Sequence, residues 1–214
     1  MLLTLLLLCP GAFANPVAIE NWSFESSSGI EDSGPNGTWY KGDITGWKHS
    51  GDINWGIWKP GDGYTMGVPE GEYIGFLNAG SIWQETTHKI EANNVFSLSL
   101  DIGNRSDRAF PGFSVNLLAG NTILGSSSVM PGEGLFSNLM LSYTALAGDS
   151  NIGSLLGIEI VSGGSQLNFD NVRLSNDDAA GGRNAVPEPA SMLLLGTGLL
   201  GLAGYGRKKK FFKK

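Results

Sequence analysis

The 214-residue chain has one cysteine, two histidines and little charge, with Asp, Glu, Lys and Arg together making up 16% of its residues. Each shortage closes off some chemistry. Cys9 lies ahead of a cleavage signal near the N-terminus. The mature chain therefore has no disulfide, no thiolate nucleophile and no cysteine metal site. His49 and His88 sit in the polar, turn-like strings Lys48-His49-Ser50 and Thr87-His88-Lys89, outside any G-x-S-x-G or H-E-x-x-H pattern. Glu31-Asp32 and Asp177-Asp178 look like loop charges. On these grounds no enzymatic activity is expected. A glycoside-active enzyme is a lesser alternative, since the two carboxylates it needs across a cleft cannot be recognised from spacing.

Basic residues are scarce outside one place. Arg207, Lys208, Lys209, Lys210, Lys213 and Lys214 hold six of the 14, so residues 1–206 carry eight basic groups against 20 acidic ones. An acidic body excludes a nucleic-acid partner, whose phosphates attract basic surfaces. No central segment has helical periodicity. What is abundant is glycine, 32 residues, which suits short strands joined by tight turns.

The two ends carry addresses. Leu2 to Leu8 is a short apolar run followed by Ala12-Phe13-Ala14, an A-x-A signal for cleavage after Ala14, so residues 1–14 are expected to be a signal peptide. At the other end, Val186-Pro187-Glu188-Pro189 precedes an uncharged run from Ala190 to Gly206 and then the basic cluster. Seventeen helical residues rise roughly 25 Å, a minimal membrane span. The basic end should stay cytoplasmic, which leaves the domain outside. This order of parts resembles the PEP-CTERM sorting signal over residues 186–214. The resemblance implies an exosortase as processing partner, transient residence in the inner membrane through residues 190–206, and a cell-surface or extracellular destination. Residues 175–185 are polar and glycine-containing and are expected to be a linker.

Between the ends, period-two alternation predicts an all-β fold. Phe96, Leu98, Leu100 and Ile102 alternate with Ser97, Ser99 and Asp101, and Phe113, Val115 and Leu117 with Ser114 and Asn116. Such alternation puts one face in a core and one in solvent. Similar stretches occur at Ile19–Phe24, Glu72–Asn78, Ser81–Thr86, Thr122–Val129, Asn138–Thr144, Ile152–Ile160 and Leu167–Leu174. About nine or ten strands imply a jelly-roll β-sandwich over residues 15–174. Apolar parity breaks between Phe169 and Val172, the mark of a bulge that re-aims Asp170.

The opening Asn21-Trp22-Ser23-Phe24-Glu25, the following Gly46-Trp47 and the closing Phe169-Asp170-Asn171-Val172-Arg173-Leu174 resemble the galactose-binding-like jelly rolls of carbohydrate-binding modules. The resemblance implies that first and last strands meet beside a structural Ca2+, with Glu25 and Asp170 as its carboxylates. The residues alone leave open two ordinary surface carboxylates. No organic cofactor is expected.

All six tryptophans lie between Trp22 and Trp83. The glycine-rich stretch from Trp39 to Tyr64 is expected to be a loop, with Trp55, Trp58 and Tyr64 as flat contacts for a sugar and Asp52 and Asn54 as acceptors for its hydroxyls. The expected function is a non-catalytic exported protein binding extracellular polysaccharide. The alternative is a structural matrix or biofilm component with no defined small ligand.

Overall fold

The computed structural model describes residues 15–50, 54–61 and 67–178. The expected signal peptide, the sorting motif at 186–189, the expected membrane helix and the basic tail lie outside them. The described residues form strands and turns with no helix. The strands are β1 (Pro16–Val17), β2 (Ile30–Gly34), β3 (Gly37–Lys41), β4 (Lys48–Ser50), β5 (Asn54–Pro60), β6 (Ile74–Asn78), β7 (Gly80–Lys89), β8 (Asn94–Gly103), β9 (Phe113–Ala119), β10 (Thr122–Ser127), β11 (Phe136–Ala145), β12 (Leu155–Ser162) and β13 (Leu167–Asp178).

Two antiparallel sheets form a sandwich. One runs β11-β8-β13-β6-β5-β3-β2, with β1 added on β13; the other runs β10-β9-β12-β7-β4. The alternation on β8 does what its period dictates: Phe96, Leu98, Leu100 and Ile102 are fully buried. They share one core with Val115, Leu117, Ile158 and Ile160 of the opposing sheet.

Thirteen strands replace the expected nine or ten, and the chain departs from expectation at three places. The stretch read as a loop from Trp39 to Tyr64 contains most of β3 and all of β4 and β5. Its Gly56 serves close packing, whereas Gly42 and Gly46 take positive φ between strands. At Gly56 a Cβ would lie 1.8 Å from the Tyr40 carbonyl oxygen, so only glycine lets β5 approach β3 there. The last strand runs on to Asp178, pairing Ser175 with Ser97 and Asp178 with Asn94. The linker expected from residue 175 is therefore strand for its first four residues; ladder bonds on β8 and β1 satisfy a backbone whose polar sequence resembles a loop.

Third, Ile19–Phe24 is a turn and not a strand. Asn21 and Phe24 have positive φ values of 49° and 57°, and the Asn21 side chain bonds both N–H and carbonyl of Ser26. The apolar residues mimic alternation because Phe24 is a plug. It is fully buried, edge-on to Phe169 at 4.9 Å and tilted on Trp47 at 5.3 Å.

Candidate functional site

The outer face of the eight-stranded sheet is where the chemistry collects. In an isolated sandwich that face should be polar. Here Trp58, Ile74 and Phe76 are buried on it as a separate apolar cluster, with Trp39, Val68 and Phe136 packed against them. The strand pairings place these residues in rows. Asn138, Asp101 and Asp170 are direct partners across β11, β8 and β13. Ile74, Trp58 and Trp39 continue the row across β6, β5 and β3. Acid and aromatic ends thus share one face. About 10 Å separates Asp170 from Trp58, two strand spacings.

Asp170 is fully buried. The bulge expected from broken parity is present: the β13–β8 register shifts between Asp170 and Arg173, and Asn171 takes a φ of 54°. Asp170 Oδ2 accepts the Glu70 backbone N–H at 3.0 Å and Oδ1 that of Asn171 at 2.7 Å. Burial pushes its pKa up to about 8; the two N–H bonds oppose the rise, and the nearby Asp101 and Glu25 charges add to it. Asp101 is held in place, its Oδ1 accepting from Asn138 at 3.0 Å and its Oδ2 from Asn171 at 2.9 Å. A buried carboxyl with a raised pKa thus stands beside a second carboxyl on the next strand.

The segment Gly67–Tyr73 roofs this acid. Val68 sits on the aromatic cluster, Glu70 binds Asp170, and the N–H groups of Glu72 and Tyr73 both donate to Glu25 Oε1 at 2.9 Å. Gly71, at φ 62°, permits the approach: a Cβ there would meet Glu25 Oε1 at 2.1 Å. Glu25 and Asp170, from opposite ends of the domain, therefore clasp one segment. Among the described residues no group of three or more His, Cys, Asp or Glu side chains could hold a metal. The oxygen-only pair suits a hard cation, and Glu25 Oε2 accepts no hydrogen bond among the described residues, but carbonyls would have to fill most of a calcium shell.

The expected sugar contacts fare unevenly. Trp55 and Trp58 are not loop residues. Both lie on β5, with 4% and 2% of their surfaces exposed. Trp55 points into the core against His49 at 4.6 Å, so it contacts no ligand; Trp58, three residues on, faces outward. Asn54 pairs with Asn78 beside a cavity on the same face. Asp52 and Tyr64 lie outside the described residues. The expectation missed Asp101, Trp39, Arg105 and Phe76. One signal was available: Ile74-Gly75-Phe76-Leu77 is an unbroken apolar run, and a strand buried on both faces reads that way.

The fold and the site define an all-β sandwich with a buried carboxyl on an aromatic-lined sheet face. The HpiC1 cyclase family model matches residues 15–175, and the chain belongs to this HpiC1-like family. That overturns the expectation of a non-catalytic chain: the fold is a cyclase fold. Histidine and cysteine scarcity misled because it closes off only imidazole and thiol chemistry. The resemblance to carbohydrate-binding modules described the architecture without naming this family.

The PEP-CTERM protein-sorting motif matches residues 185–209, which makes the chain an exported, membrane-anchored precursor processed by an exosortase. Among solved structures, the Stig cyclase Fisc from Fischerella sp. TAU, in complex with (3Z)-3-(1-methyl-2-pyrrolidinylidene)-3H-indole, is 23% identical with a TM-score of 0.68, covering 77% of this chain and 98% of that one. A Fischerella sp. TAU cyclase in complex with 4-(1H-indol-3-yl)butan-2-one is 23% identical with a TM-score of 0.67, covering 78% and 99%. A CBM4 carbohydrate-binding module matches with 15% identity and a TM-score of 0.44, covering 75% and 100%. No curated protein matches the chain.

Proposed function

We propose that this protein is an exported cyclase, catalysing an acid-assisted ring-forming isomerisation of an aromatic substrate on the outer face of the eight-stranded sheet. The observation that carries this reading is the buried Asp170 carboxyl, its pKa raised by burial to about 8, set beside Asp101 in one row with Trp58 and Trp39. Asp170 donates its proton to the substrate, the resulting cation is attacked by an electron-rich ring carbon, and the proton lost on rearomatisation returns to a carboxylate. Nothing is gained or lost overall, so no co-reactant is needed. General acid catalysis of this kind supplies about 10²–10⁴-fold. Asp170 has no exposed surface, so the Gly67–Tyr73 roof lifts for substrate to reach it. The indoles bound by the Fischerella cyclases support an indole-type substrate.

The test is conversion of 3-alkenylindoles to ring-closed isomers of equal mass, followed by chromatography and mass spectrometry. Asp170→Asn should lose nearly all conversion while keeping its fold. An Asn variant as active as the parent, or a parent that closes no such ring, would sink the proposal.

A second reading, polysaccharide binding at the cell surface, draws support from the same face, where Asn36, Asn54 and Asn78 line a cavity beside Trp39. A glycan-array screen tests it. A structural calcium on Glu25 and Asp170 is an alternative to the acid role of Asp170, because a bound cation would hold that carboxyl ionised; it rests on the hydrogen-bond-free Glu25 Oε2. Its readout is a melting temperature that rises with added calcium.

A further inference from the structure

The cavity at the aromatic end of this face holds an unexpected concentration of positive charge. It measures about 220 Å3, and its walls include Trp39, Trp58, Asn78, Lys41, Arg105 and Arg108. Outside the C-terminal tail the chain has only eight basic residues against 20 acidic ones, and three of the eight meet here.

Arg105 is fixed in place. It is 6% exposed, and its guanidinium lies 4.4 Å from the centre of the Trp58 ring. Nε and Nη2 donate to the two Asp107 oxygens at 2.8 and 2.7 Å, and Nη1 donates to Gln166 at 2.9 Å. Lys41 is tied more loosely, 3.3 Å from Asp32, with both side chains about half exposed. Arg108 forms no ion pair among the described residues. Among the described residues Asp107 and Asp32 are the carboxylates paired with this cluster, two negative charges for three positive, and the cation of the three without an ion pair is Arg108.

The walls also carry unused hydrogen-bonding capacity. Trp39 Nε1 and Asn78 Oδ1 are buried without a partner. Such groups cost free energy when left unpaired, and in a native structure they call for a reason.

We propose that the ligand of this cavity carries a carboxylate on or next to a ring, which Arg108 binds as a point of recognition while the ring lies against Trp39. This rests on the proposed cyclase reading and adds a substrate class to it: an aromatic acid, oriented with its carboxylate at Arg108 and its reacting end toward Asp170. Guanidinium recognises carboxylate in a planar, two-bond geometry that a neutral amide does not reproduce.

The experiment is calorimetric titration of the full-length chain in detergent micelles with 3-(indol-3-yl)propionate and with its primary amide, an isostere without charge. The acid should bind at least tenfold more tightly. That preference should vanish in Arg108→Gln, an exposed loop position whose change leaves the fold intact, and should shrink as salt is raised. Galacturonate against galactose forms a parallel arm. Indoles failing while galacturonate outbinds galactose would uphold the carboxylate site and overturn the aromatic-substrate reading. If neither acid outbinds its neutral counterpart, or if Arg108→Gln keeps the preference, the carboxylate site is overturned.

Discussion

The two outer faces of the sandwich are built on opposite principles. On the five-stranded sheet, Lys48, Trp83, Glu159 and Asn116 line up across β4, β7, β12 and β9. Charged and polar groups flank the half-buried Trp83, and Asn116 donates to Glu159 at 2.9 Å. On the eight-stranded sheet the corresponding face buries the Asp170 carboxyl, Trp58 and several polar atoms without partners, with Trp39 half-buried beside them. The first arrangement is what solvent exposure alone would select. The second is destabilising by each rule that governs buried polar groups. A chain that keeps it does so for chemistry, and local violations of this kind point to a functional site.

Asp170→Asn should break the difference most severely. The amide keeps the shape but cannot act as an acid, so conversion should fall by about 10²–10⁴-fold with the melting temperature held or raised. A stable, fully active variant would show the face to be merely odd.

Trp55→Ala and Trp58→Ala sharpen the comparison from within one strand. Truncating a core tryptophan costs about 3–5 kcal/mol, and Trp55 should fall in that range by denaturant melts. Trp58 should lose ligand binding as well as stability, because its ring faces the site. Loss of binding in both variants without loss of stability would reverse the assignment.

Gly75→Ala acts next, through the strand neighbour of Asp170. A Cβ there would meet the Phe169 ring at 2.0 Å, and overpacking of this kind costs about 1–3 kcal/mol. Since Phe169 precedes Asp170, conversion should drop further than stability explains.

A pH series isolates the acid. The folded pKa of Asp170 is raised from its ordinary 3.8 to about 8. Its contribution to stability is therefore full below about pH 4 and lost as pH rises toward 8, because across that window the folded state holds the proton that the unfolded chain has released. The parent should lose melting temperature relative to Asp170→Asn over that interval. Parallel curves would mean the carboxyl is ionised throughout.

How much of this the sequence disclosed follows from what each signal depends on. Alternation on β8 and β9 is local and was legible, as was the bulge at Phe169–Val172. Glu25 and Asp170 were singled out by motif resemblance, yet their joint hold on Gly67–Tyr73 depends on contacts 47 to 100 residues apart, which no spacing encodes. Trp55 and Trp58 looked alike because glycine around them suggested a loop. Once β5 is a strand, three residues of separation put them on opposite faces. Asp101 was read as the solvent side of an alternating strand, and the proposed site lies on that face.

The last and smallest effect contrasts two half-buried tryptophans at strand positions on opposite faces, Trp39 on β3 and Trp83 on β7. Threonine suits a strand at either place, so stability should fall by less than about 1 kcal/mol in each variant, the usual range for partly exposed positions. Function should part them. Trp39→Thr removes the ring beside Lys41 and the cavity wall, and should weaken binding of an aromatic acid about tenfold, in line with the loss of a buried aromatic contact. Trp83→Thr lies on a face where no buried polar atom is left unpartnered among the described residues, and titration should show the parent's affinity. Equal losses in the two variants would mean that ligand reaches both sheets, and the contrast between the faces would fail. Equal retention would remove Trp39 from the site and leave Trp58 and the acid row to carry it.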